Sequence, residues 1–187
     1  MMITQNVLIT GAATRIGRAI ALAMAKAGWN VAVHHHRSSE EAKELVSELQ
    51  SLGATATAIS ANLLDSRQAE GVIDSAHERL GAISCLINNA ALFEYDNIHT
   101  VTPESWKAHL SVNLTSPLLL SQTFANQVPD GKVGNIINII DQRVWNLTPH
   151  FISYTISKTG LWTLTQTLAL ALAPNIRVNG VGPGPTL

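Results

Sequence analysis

Charge is scarce in this chain: of 187 residues, 12 are Lys or Arg and 13 are Asp or Glu, 13% in all, against about 25% in an average soluble domain. With a net charge of −1 and no long basic run there is little to neutralise a phosphate backbone, which argues against nucleic acid as the main partner. Cysteine is nearly missing. Cys85 stands alone, so it has no internal disulfide partner, and it lies in the apolar run from Ile83 to Ile87. It reads as a buried, inert thiol and points to a reducing, cytoplasmic setting. Long hydrophobic runs are also missing. Lys26 and Asn30 break the stretch 19–33, and Thr163, Thr165, Gln166 and Thr167 interrupt 161–173, whereas a membrane-spanning helix needs about 20 apolar residues. The first ten residues lack the basic segment and small-residue cleavage site of an export signal and read as a strand. Proline and glycine are few (7 and 12), while 46% of residues are hydrophobic, enough for a sizeable core and against a disordered or collagen-like chain.

What is present alternates between two periods. Val7-Leu8-Ile9 is a short strand, and after Gly11 apolar residues at 16, 19, 20, 23 and 24 predict a helix closed by Gly28. Asn30 to Val33 is a second strand. Ser38 with Glu41 forms a capping box ahead of a helix with 42, 45, 46 and 49 inward. Gly53 ends it, and Thr57-Ala58-Ile59 is a third strand. Asp65 with Gln68 starts a helix whose apolar face is 69, 72, 73, 76 and 80. Next come a strand from Ile83 to Asn88, helical stretches from Pro103 to Gln127, a strand from Asn135 to Ile140, a long helix through 154–172, and a strand from Ile176 to Val181. Strands alternating with helices predict right-handed crossovers and a parallel sheet covered on both faces, an α/β doubly wound domain of Rossmann type. One domain spans 1–187. Ligands in such sheets bind beyond the carboxyl ends of the strands, at the switch point.

Three motifs fall at those ends. Thr10-Gly11-Ala12-Ala13-Thr14-Arg15-Ile16-Gly17 joins the first strand to the first helix, with Gly11 for the sharp turn and Gly17 for close approach of helix and backbone. The helix amino end then offers N–H groups to a diphosphate. His34-His35-His36-Arg37-Ser38 ends strand two, where an acidic residue would bind a ribose 2′-hydroxyl; His36, Arg37 and Ser38 instead suit a 2′-phosphate, with Arg15 as a second guanidinium. Zinc is a poor reading of the histidines, because consecutive strand residues point to opposite faces. Tyr154-Thr155-Ile156-Ser157-Lys158 places Lys158 four residues from Tyr154, on one helical face, where its ammonium favours the phenolate and lowers the tyrosine pKa. Asp141, 13 residues before the tyrosine, completes the set; its bland reading is a loop Asp capping a turn.

Taken together, TGAATRIG at 10–17, NNA at 88–90, Asn113, YTISK at 154–158 and VNGVGPG at 178–184 resemble the short-chain dehydrogenase/reductase family over nearly the whole chain. The resemblance implies an NADP- or NAD-dependent hydride transfer with Tyr154 as acid/base and Lys158 holding ribose and tuning Tyr154. It also implies a cofactor lined by Asn89, Ala90, Pro183 and Gly184, with Leu63 beside Asn62, and a water for proton relay held by Asn113. Asn62 stands where many members have an Asp that meets adenine. The family's usual Ser is here Asp141. That Asp, Arg15 in place of a usual Gly, the HHHRS segment and Phe93 resemble the pteridine reductases and dihydromonapterin reductases, which implies that Phe93 stacks on a flat pterin; its bland reading is a hydrophobic lid residue.

The expectation is therefore an NADPH-dependent reductase of a dihydropterin, catalytic at Asp141, Tyr154, Lys158 and Asn113, binding substrate at Phe93, Asp141 and Tyr154. It is expected to be cytoplasmic and, from the resemblance and low charge density, a homotetramer, without metal or membrane. The alternatives are a carbonyl or 3-ketoacyl reductase and a non-catalytic dinucleotide-sensing module. Relatives continue past the point matching Leu187, so the sequence is also expected to be shortened, leaving strand six with a bare edge.

Overall fold

The computed structural model describes residues 5–129 and 131–184; residues 1–4 of the first predicted strand and the end at Leu187 fall outside them. Six parallel strands form one sheet in the order β3-β2-β1-β4-β5-β6. They are β1 (Asn6–Ile9), β2 (Asn30–His35), β3 (Ala56–Ser60), β4 (Cys85–Asn88), β5 (Gly134–Ile139) and β6 (Ile176–Val181). The helices are α1 (Arg15–Lys26), α2 (Ser39–Ser51), α3 (Ser66–Leu80), α4 (Pro103–Leu110), α5 (Ser116–Gln127) and α6 (Ile152–Leu172).

Strands buried on both faces read as unbroken apolar runs, and the period of two deals their side chains to opposite cores. Val7, Ile9, Val31, Val33, Cys85 and Ile87 pack with Ala21 and Ala25 of α1 and Leu45 and Leu49 of α2. Leu8, Ala32, Leu86 and Ile136 pack on the other face with Ile73 of α3 and Leu120 and Phe124 of α5. Burying each Leu, Ile or Phe contributes about 1.5–3 kcal/mol. Cys85 is buried within the first of these cores, and burial pushes its thiol up to about 12.

The chain departs from the sequence reading in four places. The buried face of α1 is Gly17, Ala21 and Ala25, while Ala19 and Ala23 are exposed, because small residues, not the largest apolar ones, let this helix sit close to the sheet. β2 runs on through His34 and His35, both buried. Ser38 makes no side-chain cap bond to α2. The stretch from Pro103 to Gln127 is interrupted by a π-helical turn, Ser111–Thr115, centred on the buried Asn113. Elsewhere the helix signals act as read: both Arg67 N and Gln68 N donate to Asp65 at the start of α3.

Strand order reverses between β1 and β4, so the crevice opens beyond Ile9 and Asn88. Among the described residues no helix is long and apolar enough to cross a membrane.

Candidate active site

One cleft of about 890 Å³ lies at this switch point. Every sequence-derived site residue lines it except Asn113, which is buried behind its wall.

The cleft floor is the turn after β1. Gly11 has φ +60°, and a side chain there would lie 3.0 Å from Ala90 Cα. A Cβ on Gly17 would come within 2.6 Å of Asn89 Nδ2 and 2.8 Å of Ala12 Cα, which leaves only glycine at that crossing. Thr10 ties the two halves of the sheet together: its hydroxyl accepts from Asn89 N (2.9 Å) and Ala90 N (3.0 Å), while Asn89 Nδ2 donates to Thr10 O at 2.8 Å. Thr14 makes no side-chain cap on α1, whose first turn carries no acid. Its N–H groups and the positive end of the helix dipole are left for an anion. Arg15 opens α1 at φ +51°, a left-handed conformation suited to glycine.

At the end of β2, His34 does something the motif did not reveal. Gly11 N donates to its Nδ1 (3.1 Å), Nε2 donates to Ala61 O (3.2 Å), and Ala12 N donates to its carbonyl (2.9 Å). Burial lowers its pKa from 6.5 to about 4, so the ring is neutral. The strand alternation that argued against zinc also held the signal, since Ala32 and His34 share a face. Among the described residues no three His, Cys, Asp or Glu side chains come together as a metal set. Arg15 and Arg37 face the same cleft, and among the described residues neither has a carboxylate within ion-pair distance. Asn62 lines it too, its side-chain oxygen accepting from Leu64 N at 3.1 Å, and Leu63 O accepts from Ser116 Oγ. An uncapped helix amino end, a glycine crossing without room for a Cβ and two free guanidinium groups fit a phosphorylated dinucleotide.

At the other end, the Tyr154 hydroxyl donates to Asp141 Oδ2 at 2.9 Å, and Arg143 N donates to Asp141 Oδ1 at 2.8 Å. Asp141 thus caps the turn with one oxygen and accepts from the Tyr154 hydroxyl with the other. Lys158 is almost fully buried, and its Nζ donates to Ile139 O at 2.7 Å. Burial lowers its pKa to about 8, with Asp141 acting in the opposite sense. The expectation for Tyr154 is reversed: burial first, and then the Asp141 carboxylate, push the phenol well above its ordinary value. Lys158 does not offset this, because Asp141 is the group on the phenol oxygen and Lys158 Nζ is engaged by Ile139 O.

The side chain of Asn113 is fully engaged within the protein. Leu92 N donates to its side-chain oxygen (2.8 Å), and its Nδ2 donates to Leu92 O (2.9 Å) and Ser157 Oγ (2.9 Å). It anchors the loop after β4 to α6. That loop carries Phe93, half exposed, stacked on Phe151 at 4.6 Å and edge-on to Tyr154 at 4.6 Å. Phe151, Asp96 and Arg143 escaped sequence reasoning. Asp96 is buried and accepts from Ser153 N, so it holds the start of α6, and nothing local in the sequence links it to a helix 57 residues away.

Fold and site define a dinucleotide-binding α/β domain with a tyrosine and a lysine of one helix in its cleft. The chain belongs to the short-chain dehydrogenase family, whose pattern it matches over residues 5–187. It is 32% identical over 185 residues to the 3-oxoacyl-[acyl-carrier-protein] reductase FabG of Staphylococcus aureus, covering 98% of this chain and 75% of that protein. Its fold superposes on FolM alternative dihydrofolate reductase 1 of Brucella suis, solved with NADP, with a TM-score of 0.94 and 42% identity, covering 98% of this chain and 76% of that one. A short chain dehydrogenase of Burkholderia cenocepacia, also solved with NADP, gives 0.94 and 32%, covering 98% and 75%.

Proposed function

We propose that the protein is an NADPH-dependent reductase of a pterin-like ring, converting a dihydropterin to its tetrahydro form. The observation that carries this reading is the Tyr154 hydroxyl on the carboxylate of Asp141, 2.9 Å away, with the Phe93 ring 4.6 Å from the tyrosine ring. A carboxylate here keeps the phenol protonated, which is the form a reductase must present to a ring nitrogen. The FolM likeness supports the same substrate class.

NADP is the cofactor; it would be held by the Gly11–Gly17 turn, by Arg15, His36, Arg37 and Ser38 at the adenosine end, and by Asn89, Ala90, Lys158, Pro183 and Gly184 along the cleft. When bound, it supplies the hydride. The chain supplies the rest. Tyr154 holds the proton at its hydroxyl oxygen, and Asp141 orients that hydroxyl. Lys158, fixed by Ile139 O, places a positive charge beneath the site, 5.8 Å from the tyrosine ring centre. Phe93 and Phe151 supply flat apolar surface for a ring and exclude water from one side.

The FabG likeness favours a second reading, reduction of a 3-oxoacyl thioester. Incubating the protein and NADPH with a dihydropterin and with a 3-oxoacyl thioester separates the two. Dihydropterin reduction with stoichiometric loss of NADPH is expected; much faster turnover of the thioester overturns the pterin reading. We also assign a homotetramer, supported by the exposed Leu118, Ile156 and Leu170 on α5 and α6 and checked by sedimentation equilibrium.

A further inference from the structure

Three cations of the cleft have work assigned: Arg15 and Arg37 at the adenosine end, and Lys158 beneath Tyr154. A fourth, Arg143, does not. It sits on the 3₁₀ turn Gln142–Val144, whose cap is Asp141, two residues from the carboxylate that holds the tyrosine hydroxyl. Its guanidinium carbon lies 4.9 Å from the Phe151 ring centre and 5.8 Å from that of Phe93. Among the described residues it has no carboxylate within ion-pair distance, although Glu94 and Asp141 line the same cleft. None of its side-chain N–H groups has an acceptor there, and Nε is buried without one. A guanidinium stacked on ring faces keeps its in-plane N–H groups free for an acceptor, and their fork matches a planar carboxylate. A buried donor left unmatched is unfavourable, so a chain that retains one beside its reacting tyrosine has a use for it with ligand bound.

We propose that Arg143 is a specificity residue that receives a carboxylate carried by the substrate, so that the preferred substrate is a flat heterocycle with an acidic tail. This rests on the pterin reading above. The position argues for substrate over cofactor, because Arg143 is tied to Asp141 and the Phe93–Phe151 pair, away from the β2 end where Arg37 stands. A carboxylate also explains why no protein acid is paired with this cation, since an internal partner would compete with the ligand.

The test compares wild type, Arg143→Leu and Arg143→Lys with NADPH and two substrates, dihydrofolate, which bears a glutamate tail, and a dihydropterin with only a hydroxylated side chain. The KM for dihydrofolate should rise by about 10- to 100-fold more than that for the dihydropterin in Arg143→Leu, the loss of a charge-assisted contact, with kcat changed far less than KM. Arg143→Lys, which keeps charge but not the fork, should recover part of the difference. Calorimetric titration of each protein with 4-aminobenzoylglutamate reads the same contact without turnover. Equal losses on both substrates, a weakened NADPH affinity, or a titration unchanged in Arg143→Leu overturns the proposal. If wild type reduces neither pterin, the functional reading fails; loss of 4-aminobenzoylglutamate binding in Arg143→Leu then still supports the carboxylate site, and unchanged binding rejects it.

Discussion

His34 is the place where folding and cofactor binding meet, and its replacement has a calculable effect. The ring bridges Gly11 N and Ala61 O at 3.1 and 3.2 Å. His34→Leu strands both backbone groups, each worth about 1–3 kcal/mol when left unpaired, or about 2–6 kcal/mol together. His34→Asn keeps an acceptor near the Nδ1 position and forfeits only the Ala61 bond, roughly half that loss. Proton linkage gives an independent figure. The folded pKa is lowered from 6.5 to about 4, by burial above all. The unfolded chain therefore binds the proton more readily, and stability is full above pH 6.5 and declines as pH falls toward 4. Between pH 7.5 and pH 5 the decline attributable to this ring is about 2 kcal/mol, rising to about 3 kcal/mol below pH 4. His35, with which His34 repels when charged, has its pKa lowered as well, by burial first, and adds in the same direction. Urea unfolding of wild type and His34→Asn at pH 7.5 and pH 5 measures the difference. The variant should lose less stability on acidification by about 2 kcal/mol, and NADPH affinity at pH 7.5 should fall in both substitutions as the Gly11 turn loosens. Parallel pH dependence in the two proteins would refute the assigned role of the ring.

Four other outcomes follow from the site. Tyr154→Phe should reduce single-turnover reduction by about 10² to 10⁴ while NADPH still binds, because the proton source is lost but the cleft is not; wild-type turnover would remove tyrosine from the chemistry. Arg37→Ala should weaken NADPH at least about tenfold while leaving NADH nearly unaffected, the loss of a charge-assisted bond. Arg15→Gly should do the same yet raise unfolding stability by up to about 1 kcal/mol, because φ +51° suits glycine; fluorescence titration and urea melts read both. Lys158 loses its charge as pH rises through about 8, so NADPH affinity should decline above that pH. Its lowered pKa acts on folding in the opposite sense: the unfolded chain holds the proton longer, and stability gains between about 8 and 10.5.

Much was legible in the chain itself, because it is written in local spacing. Val7-Leu8-Ile9 and Cys85 to Ile87 are apolar runs of strand length, Gly11 and Gly17 mark a turn with no room for side chains, and a four-residue interval puts Tyr154 and Lys158 on one helical face. Together these determine a parallel doubly wound sheet with its cleft beyond the strand ends, and the site residues named from sequence line that cleft apart from Asn113. The inward faces of α2 and α3 were legible as well, and that of α1 was less so. In α1 the buried stripe is Gly17, Ala21 and Ala25, since what counts is fit against the sheet and not apolar size.

Only the tertiary structure decided the chemistry of the individual groups. Whether Tyr154 keeps its proton depends first on the burial of its phenol and then on which charge reaches its oxygen, and that is Asp141 from the end of β5, not the lysine one turn along α6. His34 became a clamp because Gly11 and Ala61, 50 residues apart in sequence, converge on its two nitrogens. Arg143 is singled out only because, among the described residues, no carboxylate pairs with it. Burial and hydrogen-bond partnership are properties of distances between remote residues, and no spacing along a chain contains them.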